Sequence, residues 1–270
     1  MSTRYDERPV VVGIHDHDVD DALRYAVQEA RRNGCGLWVA HSHDAGRSVD
    51  VAVLDRAVAR AGELAGPDVP VTGRHVAGVP VESVLVAFPE ARTVVLRHRD
   101  VLHLLRTLTS DVAAAIHTPV VCVPQHWAAA EPDRRPVAVG VEHLSTAGPL
   151  VRAAAEEASG RGVPLRVVHV RSIRGQADPI LESEAHDDLD EAVATCGATV
   201  PVTVEVDHGE ATETLLAIAR ESQLLVLGRN EPRAGVGCRM GRAARSLLHD
   251  SAAPLLVLPP PQPVAVLASR

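Results

Sequence analysis

Histidine is unusually abundant in this sequence, with 14 in the chain. His15-Asp16-His17-Asp18 and His41-Ser42-His43-Asp44 each close a Val-rich run, and His98 closes another. Imidazoles mixed with carboxylates are the donor set of a divalent-metal site, and His15, His17 and His43 are the residues it would use. The same groups also serve as ordinary polar loop residues, and both readings stand at this point. A second concentration lies near the far end. Gly228 and Gly241 bracket a loop around which Arg229, Arg233, Arg239, Arg242 and Arg245 cluster. Glycines let backbone approach phosphate oxygens closely, and unpaired N–H groups at a helix start attract anions.

Other chemistries are excluded by composition. The 27 basic residues are all Arg, so Schiff-base, P-loop and kinase-type lysine chemistry is absent. There is no Gly-x-Ser-x-Gly elbow, which removes the usual support for Ser/His/Asp catalysis. Cys35, Cys122, Cys196 and Cys238 are scattered without a Cys-x-x-Cys pair, against a clustered thiolate zinc site. Only Tyr5, Tyr25, Trp38, Phe88 and Trp127 are aromatic, and the net charge is −8 with no basic block. Neither nucleic acid nor anionic membrane is the expected partner. Met1–Arg8 is short and polar, and no apolar run reaches spanning length, so a cytoplasmic protein with reduced thiols is expected.

The elements that must position these residues come in two sets. Arg8-Pro9-Val10-Val11-Val12-Gly13-Ile14 recurs as Arg135-Pro136-Val137-Ala138-Val139-Gly140-Val141, and Leu37-Trp38-Val39-Ala40-His41 as Leu165-Arg166-Val167-Val168-His169. Gly78 to Arg97 matches Gly209 to Gly228, and Pro119-Val120-Val121 matches Pro254-Leu255-Leu256. The order is collinear, so the chain reads as a duplication. The expected organisation is one domain over 1–126, a linker near His126–Arg135, a second domain over 135–260, and a tail over 261–270.

In the second copy, apolar runs at 136–142, 164–170, 201–206, 223–228 and 254–258 alternate with amphipathic stretches at 147–160, 180–195, 211–221 and 241–251. Near-continuously apolar, β-branched strands separated by helices predict a parallel sheet covered on both faces. Each copy is therefore expected to be a doubly wound α/β domain with five strands and four helices. Its ligand crevice lies past the carboxyl ends of the strands, where strand order switches. Asp187-Asp188-Leu189-Asp190-Glu191 reads as a solvated helix face, with Ile180, Leu181, Leu189 and Val193 on the buried side. Val120–Val123 and Leu255–Leu258, each bounded by prolines, read as edge strands.

With Gly228 ending a strand, Gly241 opening a helix, Val139–Val141, Val168-His169-Val170 and Gly209 in order, the chain resembles the universal stress protein family in tandem form. Its nucleotide-binding members carry Gly-x2-Gly-x9-Gly-Ser/Thr across the same strand, loop and helix. The resemblance implies an adenine nucleotide alpha hydrolase-like fold, two pseudo-twofold related domains, and pairing of the last strands into an internal pseudo-dimer, with further homodimerisation left open. It also implies a non-catalytic binding or regulatory role in the stress response. ATP or another adenine nucleotide would be the ligand, with Val141, Glu142 and Val170 at the nucleoside. Leu227 and Gly228 would stand at the turn, and Gly241, Arg242 and Ala243 at the phosphates.

The match is partial. Glu231 stands where the second glycine belongs, Arg242 where Ser or Thr belongs, and Glu142 where Asp is usual. One reading makes the arginines a phosphate-attracting loop; the other makes them a solvated face beside a closed site. In the first copy Arg97 matches Gly228, Arg106 matches Gly241, Thr107 matches Arg242, and His15 replaces the first-strand Asp. That copy is not expected to bind ATP. The rival functions are a ligand-free module for an unidentified protein partner and a metal-responsive protein using the first-copy histidines.

Overall fold

The computed structural model describes residues 6–15, 19–43, 50–79, 81–101, 117–128, 132–171, 179–229 and 242–260. The first half gives β1 (Asp6–Ile14), α1 (Asp20–Asn33), β2 (Cys35–His43), α2 (Val51–Ala65), β3 (Val71–Ala77), α3 (Glu82–Ala87), β4 (Thr93–Arg97) and β5 (Val120–Val123). The second half repeats the order with β6 (Val137–Val141), α4 (Ala147–Arg161), β7 (Leu165–Arg171), α5 (Pro179–Ala194), β8 (Val202–His208), α6 (Ala211–Glu221), β9 (Leu224–Gly228), α7 (Arg242–Asp250) and β10 (Leu255–Leu258). The fourth helix expected in the first copy falls on residues outside those described, as do the tail from 261, His17 and Gly241.

The same local chemistry sets both halves. β6 is Val-Ala-Val-Gly-Val and wholly buried, as a β-branched run covered on both faces should be. Helix α1 opens on Asp20 and Asp21 and closes on Arg31 and Arg32, charges that complement the helix dipole. It stops at Gly34, whose left-handed backbone (φ 57°) turns its N–H back onto the Ala30 and Arg31 carbonyls. Gly162 ends α4 in the same way (φ 66°), its N–H on Ala158 and Ser159.

All ten strands form one sheet in the order β3-β2-β1-β4-β5-β10-β9-β6-β7-β8. Neighbours are parallel within each half, and β5 meets β10 antiparallel, with Cys122 opposite Leu255 and Val121 opposite Leu256. These two strands would each be the exposed edge of a five-stranded half; pairing them removes both edges. The proline-bounded edge strands therefore lie in the middle of the finished sheet. The core has two layers. One holds Leu23, Leu54, Val151 and Leu189 from α1, α2, α4 and α5. The other holds Leu85, Leu215, Leu247 and Leu248 from α3, α6 and α7.

One expectation needs correcting. On α5 the buried stripe is Ala185, Leu189 and Ala192, whereas Ile180 and Leu181 are 70% and 47% exposed. They stand in the first turn, a turn too early for the stripe that packs on the core.

Candidate ligand site at the strand ends of the second half

Strand β6 lies between β9 and β7. The chain leaves β6 toward β7 on one side, and β9 was laid down on the other. This is the point at which a doubly wound sheet opens a crevice beyond its strand ends. Gly140 on β6 pairs with Leu227 on β9, so Val141 and Gly228 follow as neighbours at the rim. Val141 and Leu227 are buried walls, Val170 is half-buried at the end of β7, and Gly228 is exposed. Glu142 continues past β6 into solvent with its side chain 63% exposed, 4.0 Å from His143. Helix α7 begins at Arg242; because it follows β9, its first turn rises at this same end of the sheet. The side chains of Arg242 and Ala243, and all of Gly241, lie outside the described residues.

Two glycines that shape the rim are fixed by the fold. A methyl at Gly140 would come within 3.1 Å of Leu215 and of Leu227, so the Val-Gly-Val pattern of this strand exists for packing. Gly209 holds φ 153°, and its N–H bonds the Arg171 carbonyl at 3.0 Å, closing the turn into α6 in a conformation that L side chains rarely adopt. Gly228 differs: among the described residues a methyl there meets only Leu150, at 3.6 Å. It is small without a packing reason for being small.

His169 belongs to the site although sequence reasoning treated it only as part of a strand pattern. It stands opposite Val141 in register, and its Nδ1 donates to the Val141 carbonyl at 2.8 Å. That bond fixes the ring and the rim carbonyl together. Its appearance in both copies was the available signal.

The first half has an arginine at the equivalent rim position. Arg97 occupies the place of Gly228. Its guanidinium makes a two-pronged bond to Asp100 at 2.8 and 3.0 Å, with both side chains 9% exposed. His98 follows, also buried. Its ring bonds the Cys122 backbone, and because Nε2 has no partner the bond runs through Nδ1. Burial, aided by His249, holds His98 down at about 4, so it is neutral at physiological pH. Arg97 and His98 also line a cavity of about 330 Å³ at the seam between the halves, together with Asp21, Pro124, His249 and Asp250.

Of the proposed metal ligands, His43 ends β2, His15 is exposed, and His17 lies outside the described residues. Among the described residues no three His, Cys, Asp or Glu side chains are arranged to hold a metal ion. No helix among them is long and apolar enough to cross a membrane. Cys35, Cys122 and Cys196 are buried thiols.

The fold is a duplicated, doubly wound α/β unit, and comparison finds the same fold in known proteins. Residues 133–259, the second half of the chain, match the universal stress protein family. A universal stress protein of Mycobacterium tuberculosis is 27% identical over 248 residues, covering 85% of this chain and 78% of the relative. Among solved structures, a universal stress protein from Pseudomonas aeruginosa superposes with a TM-score of 0.67 at 14% identity, over 94% of both chains. Another from Archaeoglobus fulgidus gives 0.64 at 17%, over 94% of this chain and 97% of the other. At these identities the structures establish the fold, and both span the two halves.

Proposed function

We infer that this chain is a non-catalytic, ligand-binding regulator of the stress response that holds an adenine nucleotide in its second half only. One observation carries the reading. At equivalent rim positions the second half has exposed Gly228, with room around it, and the first half has Arg97 locked onto Asp100.

In this reading the base lies against Val141, Val170 and Leu227. The Glu142 carboxylate accepts from the ribose hydroxyls. Gly228 lets the chain turn beneath the phosphates, and Gly241, Arg242 and Ala243 present helix-start amides and a guanidinium to them. The phosphate contacts favour a di- or triphosphate over a nucleoside.

Isothermal titration of the full chain with ATP, ADP and AMP tests this. The expected result is one site per chain, with a matching rise in melting temperature, since a ligand of the native state stabilises it. Absence of heat and of stabilisation at millimolar nucleotide overturns it, and a stoichiometry of two overturns the restriction to the second half. The first-half plug favours a different role there: a surface offered to a protein partner.

A further inference from the structure

Arg74 on β3 pairs with Ala40, two residues along β2 from Trp38, so Arg74 and Trp38 share a sheet face. The Arg74 guanidinium sits 4.8 Å above the Trp38 ring, and Phe88 meets that ring edge to face at 5.7 Å. Trp38 and Phe88 are half-buried, and Arg74 is exposed. The opening has a cause in the sequence. Helix α3 ends at Ala87 after six residues. Pro89 has no N–H to continue it and keeps Phe88 out of the helical conformation (φ −127°, ψ 60°). Val86, Ala87 and Pro89, on either side of Phe88 in the chain, are left exposed.

The second half carries the same positions with different chemistry. Arg166 stands in the place of Trp38, and register puts Glu205 in the place of Arg74. Helix α6 runs on to Glu221 and buries Ile218 and Ala219 where the first half has Ala87 and Phe88. Arg166 donates two bonds to Glu205, both at 2.8 Å, and one to Glu221 at 3.0 Å. That face satisfies its own charge. In the first half the Arg74 guanidinium has the Trp38 ring beneath it, and no carboxylate among the described residues pairs with it.

We propose that this face of the first half docks a protein segment that brings an Asp or Glu carboxylate flanked by aliphatic side chains. The carboxylate accepts from Arg74, filling the role that Glu205 and Glu221 fill in the second half. A guanidinium attracted to a ring face through its charge keeps its N–H donors for such a bond. The aliphatic groups cover Trp38, Phe88 and Val86, the last 54% exposed. Trp and Arg are the side chains on which protein interfaces most depend. Strand β3 ends the sheet, so an extended segment also finds main-chain partners along its outer edge. The surface gives the partner role inferred for the first half a location, and it does not depend on the nucleotide reading.

The test selects binders from a phage-displayed library of random nonapeptides on the immobilised full chain. Counter-selection uses Trp38→Arg/Arg74→Glu, which installs the second half's own ion pair. The expected consensus is an Asp or Glu among Leu, Ile or Val. Synthetic peptides of that consensus, followed by fluorescence anisotropy, bind the double variant at least about tenfold more weakly. They also bind Arg74→Gln more weakly; this change at an exposed position reads the charge even where the double variant melts early. A consensus without an acid overturns the proposal. Binding that survives both substitutions overturns this location while leaving the partner role, and no enrichment at all overturns both.

Discussion

Arg161 on α4 reaches across the seam between the halves and donates to Glu29 on α1 at 3.1 Å, both side chains only 5% exposed. The same guanidinium bonds the Tyr25 hydroxyl at 3.1 Å and Glu157 at 2.9 Å, and Arg32 pairs with Glu29 from the other side. Burial alone would raise Glu29, but Arg161 and Arg32 outweigh it and hold the carboxyl low. Burial and the nearby Glu29 push Glu157 up. Tyr25 meets Trp127 edge to face at 5.3 Å just below, so the seam is tied by helices as well as by β5 and β10.

A buried ion pair is poor evidence of net stability, yet removing one partner strands the other. Arg161→Met is expected to cost about 3–5 kcal/mol in urea unfolding, and adding Glu29→Leu to recover part of it. Because Glu29 is held below its unfolded value, its contribution is present above about pH 4.5 and fades as pH falls through the native value. In Glu29→Gln that acid dependence is reduced.

Transferring the first-half plug tests the nucleotide site directly. Gly228→Arg places a guanidinium where the rim is open, and the measured loss of ATP affinity is expected to be at least about tenfold, or about 1.4 kcal/mol. Circular dichroism should be unchanged, because among the described residues a Cβ at this position meets only Leu150, at 3.6 Å.

The plug itself is load-specific to the first half. Arg97→Ala leaves Asp100 buried and unpaired, at an expected cost of about 3 kcal/mol or more. Arg97→Ala/Asp100→Ala should cost less than the sum of the two single changes in a double-mutant cycle.

The seam histidine has its own pH signature. His98, held at about 4 by burial, binds fewer protons in the native state than in the unfolded one. Stability should decline as pH falls from about 6.5 toward 4, by up to about 3 kcal/mol. His98→Gln should flatten that slope in melting curves taken across the range.

The glycines of the first strands are expected to be intolerant for steric reasons. A methyl at Gly13 meets Leu96 at 2.6 Å, closer than the 3.1 Å contacts at Gly140. Gly13→Ala should therefore cost more than Gly140→Ala, within the roughly 1–3 kcal/mol of overpacking.

The repeat was legible in the sequence because periodicity and composition act locally. The Val-rich run at 137–141 and the Leu-rich run at 224–228 can be satisfied only inside a covered parallel sheet, and α4 and α6 appear where their apolar spacing puts them. The proline-bounded runs at 120–123 and 255–258 also announced unpaired edges. The candidate rim residues Val141, Glu142, Val170, Leu227 and Gly228 came from the resemblance to the universal stress protein family, applied to strand ends that share one side of a doubly wound sheet.

Only the tertiary structure decided which polar residues meet. Nothing in the spacing of Arg97 and Asp100 says that they bury each other, since the same residues on a loop would be solvated. His75 carried no motif, yet parallel register sets it against His41, 34 positions away. Arg161 and Glu29 lie 132 residues apart and meet because two halves joined through β5 and β10 bring α1 beside α4. Sequence determines local conformation and which faces must be hidden. The partners of a buried charge are chosen by long-range register, where desolvation makes each missing contact costly.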